Sequence, residues 1–244
     1  PPPPLVESSA ASDVYKRQPE MRPPGPVPWI SVIKVASTPA SVASFMARGV
    51  QRRPVLLAGF TGGTGLGVAG LGARDGNLFA VTGEGGHVGF APETARQSDI
   101  LAVLRGRFER VSAERLVAGS GIENIHSALL ELGGQAPQPL SAADIFAAAD
   151  ESATAAEAVS LFFKILGQVA GDLALTLGAS DGVYIAGGIA KRYPDLLCNG
   201  TFRAAFKAKG RHRHIMERIP TYLITHSQPG LLGASYLAQK LAGV

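Results

Sequence analysis

From residue 55 onward the hydrophobic residues fall into short saturated runs and longer periodic stretches, each bounded by glycine, serine or proline. Val55–Ala58 is an apolar run ending at Gly59 and reads as a buried strand. Gly67–Leu71 and Leu78–Val81 flank Arg74-Asp75-Gly76-Asn77, whose Asp-Gly pair predicts a hairpin. Helical patterns follow at Ile100–Phe108, at Ala113–Val117 with Ser112 as N-cap, at Ile122–Leu132 after a glycine break, and at Asp144–Ala149 capped by Ser141. Ala155–Leu177 is the longest, and its apolar residues cover most of the helical circumference, which predicts a central buried helix. Gly182–Ala186 and Tyr222–Thr225 read as further strands, and Pro229–Ala242 as a last helix. Strands alternating with helices, with glycine at the strand ends, predict an α/β sheet whose site lies at the strand tips.

The first 54 residues break this pattern: they hold 11 of the 17 prolines, including Pro1–Pro4. Proline this dense removes ladder donors and favours extended or disordered chain. Residues 1–54 are therefore expected to be a disordered or foreign leader that replaces a missing first half. Charge marks the same boundary. The leader carries seven Lys/Arg and three Asp/Glu, whereas residues 55–244 carry 16 of each, so the whole net charge of +4 belongs to the leader. A neutral globular part offers no footprint for a polyanion, despite a sequence pI of 9.4, so no nucleic-acid partner is expected. With 46% hydrophobic and 17% charged residues the chain can bury a core. No run of 18 apolar residues is free of charges or repeated glycines, so no membrane partner is expected either. The lone Cys198 excludes an internal disulfide and a cysteine-based zinc site, and a reducing cytoplasm fits.

Two glycine-rich stretches carry the candidate chemistry. In Thr61–Gly67, TGGTGLG, backbone N–H groups can approach a phosphate closely, because glycine tolerates positive φ and has no side chain in the way. In Thr82–Pro92, TGEGGHVGFAP, Glu84 and His87 flank two glycines, which sets an acceptor and a donor/acceptor on one tight loop suited to vicinal hydroxyls. A phosphate cradle and a polyol grip about twenty residues apart suggest a sugar kinase.

Taken in order, TGGTGLGVAGL, GEGGHVGFAP, VSAERLVAGSGIENI, GVYIAGGI and PGLLGA resemble the carboxy-terminal large domain of bacterial glucokinase, nearly continuously over residues 55–244. The resemblance implies an α/β fold: the large domain of the hexokinase/actin-like, ribonuclease H-like two-domain fold over residues 55–227. Residues 228–244 would form a helix returning to a small domain that is largely absent. It also implies ATP-dependent phosphorylation of D-glucose at its 6-hydroxyl, with ATP and Mg2+ as cofactors, glucose and ATP as partners, and a homodimer left open. Glu84 and His87 match the family's glucose-binding EGGH residues, and Glu114 matches its sugar-binding SAER glutamate. Gly63, Thr64 and Gly65 resemble the second phosphate motif, although Thr61-Gly62 replaces the usual Gly-Pro, and Gly187 and Gly188 resemble the adenosine motif.

The family's catalytic aspartate lies upstream of these motifs. Asp13 is the only aspartate in residues 1–54 and stands in no matching context, so no catalytic residue and no metal ligand are assigned, and the chain by itself is expected to be inactive. One rival is a ROK-type kinase for another hexose, which typically carries a cysteine-rich zinc motif. Another is a non-enzymatic sugar-sensing regulator on the same fold, which needs a basic helix-turn-helix.

Overall fold

Six strands form one sheet: β1 (Val32–Ala36), β2 (Val55–Thr61), β3 (Gly65–Arg74), β4 (Asn77–Gly83), β5 (Val183–Ala186) and β6 (Thr221–Ile224). Their order is β1-β6-β5-β2-β3-β4. The computed structural model describes residues 32–36, 55–61, 65–74, 77–180, 182–226 and 228–230. The β2-β3-β4 unit is an antiparallel meander, β5 and β6 join β2 in parallel, and β1 pairs antiparallel with β6. The Asp-Gly hairpin forms where expected, with Arg74 opposite Asn77. A parallel strand cannot follow by a tight turn, and the long crossover from β4 to β5 is accordingly helical.

The crossover contains α1 (Ala95–Arg105), α2 (Glu114–Val117), α3 (Gly119–Leu132), α4 (Ala142–Ala147) and α5 (Ala153–Leu177). Between β5 and β6 lie α6 (Gly188–Arg192), α7 (Pro194–Cys198), α8 (Thr201–Lys207) and α9 (Arg213–Arg218). The long apolar helix predicted from Ala155 starts at Ala153, because the Ser152 side chain accepts from the Ala155 amide as its cap. It packs against β2, α2, α3 and α8. Among the described residues it is the one helix long and apolar enough to cross a membrane, and 72% of its most apolar window is buried inside the protein. Ser141 caps α4 with a reciprocal capping box to Asp144, as the pattern predicts.

Several expectations are corrected. The Ser112 side chain caps nothing: Ala113 is already helical, and Ser112 is held in a bridge to Gly89. The glycine break before Ile122 is no break, since α3 begins at Gly119 and runs through Gly121. α1 begins at Ala95, not Ile100, because the Thr94 hydroxyl accepts from the Gln97 amide, and it ends three residues before Phe108. Val32–Ala36 lies inside the stretch expected to be a leader, yet it forms the edge strand of the sheet. Of the predicted last helix only Pro229 and Gly230 are described, both helical, and the rest of it lies outside the described residues.

α5 and α8 approach closely at two glycines of α5. A Cβ at Gly167 would stand 2.1 Å from the Phe202 carbonyl oxygen, and one at Gly171 would stand 2.6 Å from that of Phe206. Phe202 and Phe206 are fully buried there. Arg203, on the same helix, donates to the Met216 and Glu217 carbonyls in the last turn of α9, and burial pushes its guanidinium down to about 10.

His126 on α3 is 4% exposed, and burial holds its imidazole below the usual 6.5. A lowered folded-state value means that the unfolded chain takes up the proton first as pH falls. The contribution is complete above the unfolded value of 6.5 and is lost as pH drops below it toward the folded value. His126→Leu is expected to flatten the loss of urea stability between about pH 7 and 5. Equal slopes in the two proteins would show that this imidazole does not report on folding.

Candidate functional site

The strand directions bring the motifs to one end of the sheet. The carboxyl ends of β2, β4 and β5 and the amino end of β3 share that end, as the pairs Thr61–Gly65, Val68–Gly83 and Gly59–Ala186 require. The chain leaving β4 turns through a single 3-10 turn, Gly85–His87, with Glu84 at its start. This turn lies flat on β3. A Cβ at Gly86 would stand 2.0 Å from the Leu66 carbonyl oxygen, so only glycine permits the approach. One at Gly85 would meet Val68 Cβ at 3.0 Å and Leu173 of α5 at 3.3 Å.

Glu114 arrives from elsewhere in the sequence. Residues 88–90 and 111–113 run antiparallel, with Phe90 N–H donating to Val111 O at 3.1 Å and Ala113 N–H donating to Val88 O at 2.9 Å. That bridge sets the first residue of α2 beside the glycine turn. His87 Nδ1 then lies 3.9 Å from Glu114 Oε1, and His87 Nε2 lies 4.0 Å from Glu84 Oε2. The three residues predicted to grip a sugar thus meet at His87, each carboxylate within about 4 Å of one of its ring nitrogens. His87 and Glu84 are each 55% exposed at the side chain and Glu114 is 23% exposed, so two groups face solvent and the third backs them.

Glu114 is fixed by backbone. β3 pairs with β4 only as far as Val68, opposite Gly83, so the Leu66 amide lies beyond the ladder. It donates instead to Glu114 Oε2 at 2.8 Å. Arg110 Nη1 donates to the His87 carbonyl at 2.6 Å and holds the turn from outside. Asn124 Nδ2 donates to the Arg115 carbonyl at 2.9 Å and ties α2 to α3. The Leu66 amide, Arg110 and Asn124 were not singled out from sequence, and no local pattern marks them, because each acts through a contact distant along the chain.

Downstream of the turn the chain is anchored to α5. Gln168 Nε2 donates to the Ala91 carbonyl. Lys209, 5% exposed at the side chain, bridges Glu93 at 2.7 Å and Asp172 at 2.9 Å. Arg96 pairs with Glu157 through two hydrogen bonds of 2.7 and 2.9 Å, and this pairing lowers the Glu157 carboxyl and raises the Arg96 guanidinium.

At the nucleotide motifs, Gly65 opens β3, while Gly63 and Thr64 lie outside the described residues. Gly187 follows β5 with φ 127° and ψ 163°, in the left-handed half of the map that favours glycine, and Gly188 begins α6. The backbone after β5 thus carries no side chain at these two positions. The fit with a nucleotide rests on these described glycines.

A family model described as Glucokinase matches residues 38–241. The chain belongs to the glucokinase family. Among curated relatives, the glucokinase of Yersinia enterocolitica serotype O:8 is 46% identical over 192 residues, covering 78% of this chain and 59% of its own length. The chain thus spans about three fifths of the curated glucokinases that it matches. Among solved structures, a glucokinase from an Antarctic psychrotroph superposes with a TM-score of 0.71 at 31% identity, over 76% of this chain and 57% of that one. The glucokinase from Balamuthia mandrillaris, in complex with glucose, shares the fold with a TM-score of 0.70 at 24% identity, over 85% and 59%. The glucokinase match begins at residue 38, inside the stretch set aside as a leader.

Proposed function

We propose that this chain carries the sugar grip and part of the nucleotide site of an ATP-dependent glucokinase, which phosphorylates D-glucose to glucose 6-phosphate. The observation that carries the reading is the convergence of Glu84, His87 and Glu114 at the strand tips beside the glycine-rich phosphate motif. Ionised Glu84 and Glu114 accept from sugar hydroxyls, each such charge-assisted bond contributing roughly 1.5–3 kcal/mol. His87, between the carboxylates, donates or accepts through a ring nitrogen according to tautomer. Gly65, Thr64 and Gly63 take the phosphates on backbone amides and the threonine hydroxyl, and Gly187 and Gly188 take the adenosine. Mg2+ travels with the nucleotide as part of that substrate.

In the reaction the glucose 6-hydroxyl oxygen gains the terminal phosphoryl group, ADP leaves, and the hydroxyl proton passes to a base that is not assigned to any residue of this chain. The residues assigned here bind and orient the sugar, which is a large part of such a reaction. Support for glucose over a nucleotide-free sensing role comes from the family match together with the glycine-lined end of β5.

Nuclear magnetic resonance of the 244-residue chain tests the reading. D-glucose is expected to shift the amides of Glu84–Gly89 and Leu66, and ATP with Mg2+ those of Gly65, Gly187 and Gly188. Saturating glucose that leaves Glu84–Gly89 unmoved overturns the sugar assignment. A response to glucose with none to ATP points to a sugar-sensing protein instead.

A further inference from the structure

We infer that the Gly65–Leu66 peptide is a positioning element for the sugar carboxylate, so that the strand start reached by the phosphate motif also holds one side of the sugar grip. The inference rests on the sugar assignment above for its consequence, but its geometry stands without any ligand.

Leu66 sits between both halves of the grip. Its N–H donates to Glu114 Oε2, and its carbonyl oxygen is the atom against which Gly86 packs. Its side chain is 4% exposed and belongs to the main core, so the peptide is held from a third direction. With Oε2 committed to the backbone, Glu114 Oε1 is the oxygen turned toward His87. Gly65 completes the arrangement. A Cβ built there would lie 2.7 Å from Glu114 Oε2 and 3.6 Å from its Cδ, with no other heavy atom of the described residues within 4 Å. The obstacle is thus the end of a flexible side chain, not backbone. A side chain at position 65 can be accommodated by the fold only if the carboxylate swings off the Leu66 amide. Gly65 was assigned from sequence to the phosphates alone, whereas the atom nearest to its open face belongs to the sugar grip.

The link between the two sites is short. Gly65 pairs with Thr61 of β2, so the described part of the phosphate motif begins at the residue next to Leu66.

The test uses Gly65→Ala, Glu114→Asp and the double variant of the full chain. Without ligand, the Leu66 amide of the original protein is expected to be protected from hydrogen exchange, and Gly65→Ala and Glu114→Asp should each reduce that protection while leaving the amides of Ala153–Leu177 unchanged. With glucose, Gly65→Ala is expected to weaken binding by about tenfold or more, the equivalent of one charge-assisted hydrogen bond. Glu114→Asp also weakens it, and the double variant should bind no worse than Glu114→Asp alone, because the shorter carboxylate no longer meets the added methyl group. Undiminished Leu66 protection in Gly65→Ala overturns the inference whether or not glucose binds. Lost protection in a protein whose original form ignores glucose would uphold the positioning and overturn the sugar assignment instead. Losses that simply add in the double variant would show that Gly65 acts on glucose by a route other than Glu114.

Discussion

Gly167→Ala is expected to be the most damaging single-methyl change in the folded part, destabilising it by about 3 kcal/mol, at the upper end of the usual overpacking range. The new Cβ would lie 2.1 Å from the Phe202 carbonyl oxygen, 2.9 Å from its carbon and 3.1 Å from its Cα. All three are backbone atoms, so no rotamer relieves the collision and α8 must move away from α5. Movement there unpacks the fully buried Phe202 and Phe206. Alanine favours a helix interior over glycine by roughly 1 kcal/mol, which opposes the clash without matching it. For a chain of this size the loss corresponds to a fall in Tm of about 6–12 °C. Gly83→Ala, with no atom of the described residues within 4 Å of the added methyl, is the control and should melt close to the original. An unchanged or raised Tm in Gly167→Ala would mean that the two helices have room to spare.

If the proposed sugar grip binds glucose, Gly86→Ala should have the largest effect on that binding, weakening it by about a hundredfold, the scale set by misplacing a site group by roughly 1 Å. Its Cβ would stand 2.0 Å from the Leu66 carbonyl oxygen and 2.9 Å from Leu66 Cβ, so the turn must lift from β3. Lifting it carries Glu84 and His87 away together, while Glu114 stays on the Leu66 amide. Gly85→Ala meets only side-chain atoms at 3.0–3.3 Å and should cost far less. Glucose titration by calorimetry or magnetic resonance separates the two variants. Comparable affinities would show that the glycine pair does not set the height of the turn.

The parts of this molecule that sequence reveals are those whose cause is local. The glycine pair between Glu84 and His87, the Asp-Gly hairpin, the Ser141 capping box and the apolar circumference of α5 each carry their reason within a few residues. The Ser112 cap misleads because a bridge to Gly89, 23 residues earlier, takes the residue out of capping geometry. β1 escapes notice because Val32–Ala36 sits among prolines and charges, and only its pairing with β6 makes it a strand. The short helices between β5 and β6 have too few turns to show a period. Their boundaries are nonetheless marked by Pro194 at a first helical position and by Gly200 and Gly210 at positive φ. At the site, Glu84 and His87 are legible from one loop, whereas Leu66 and Arg110 act across 48 and 23 residues and leave no local trace.

The three ties that Gln168, Lys209 and Glu157 make to residues 91–96 give the loop of Glu84 and His87 the mechanics of a cantilever. Its downstream root is clamped to α5, while its upstream end continues into β4, which among the described residues has a sheet neighbour on one side only. A ligand pulling on Glu84 and His87 is therefore expected to move the β4 side of the loop more than the α5 side. Changes of loop length are correspondingly easier to absorb before Glu84 than after Pro92, so variation in this protein's grip has one open direction in which to grow.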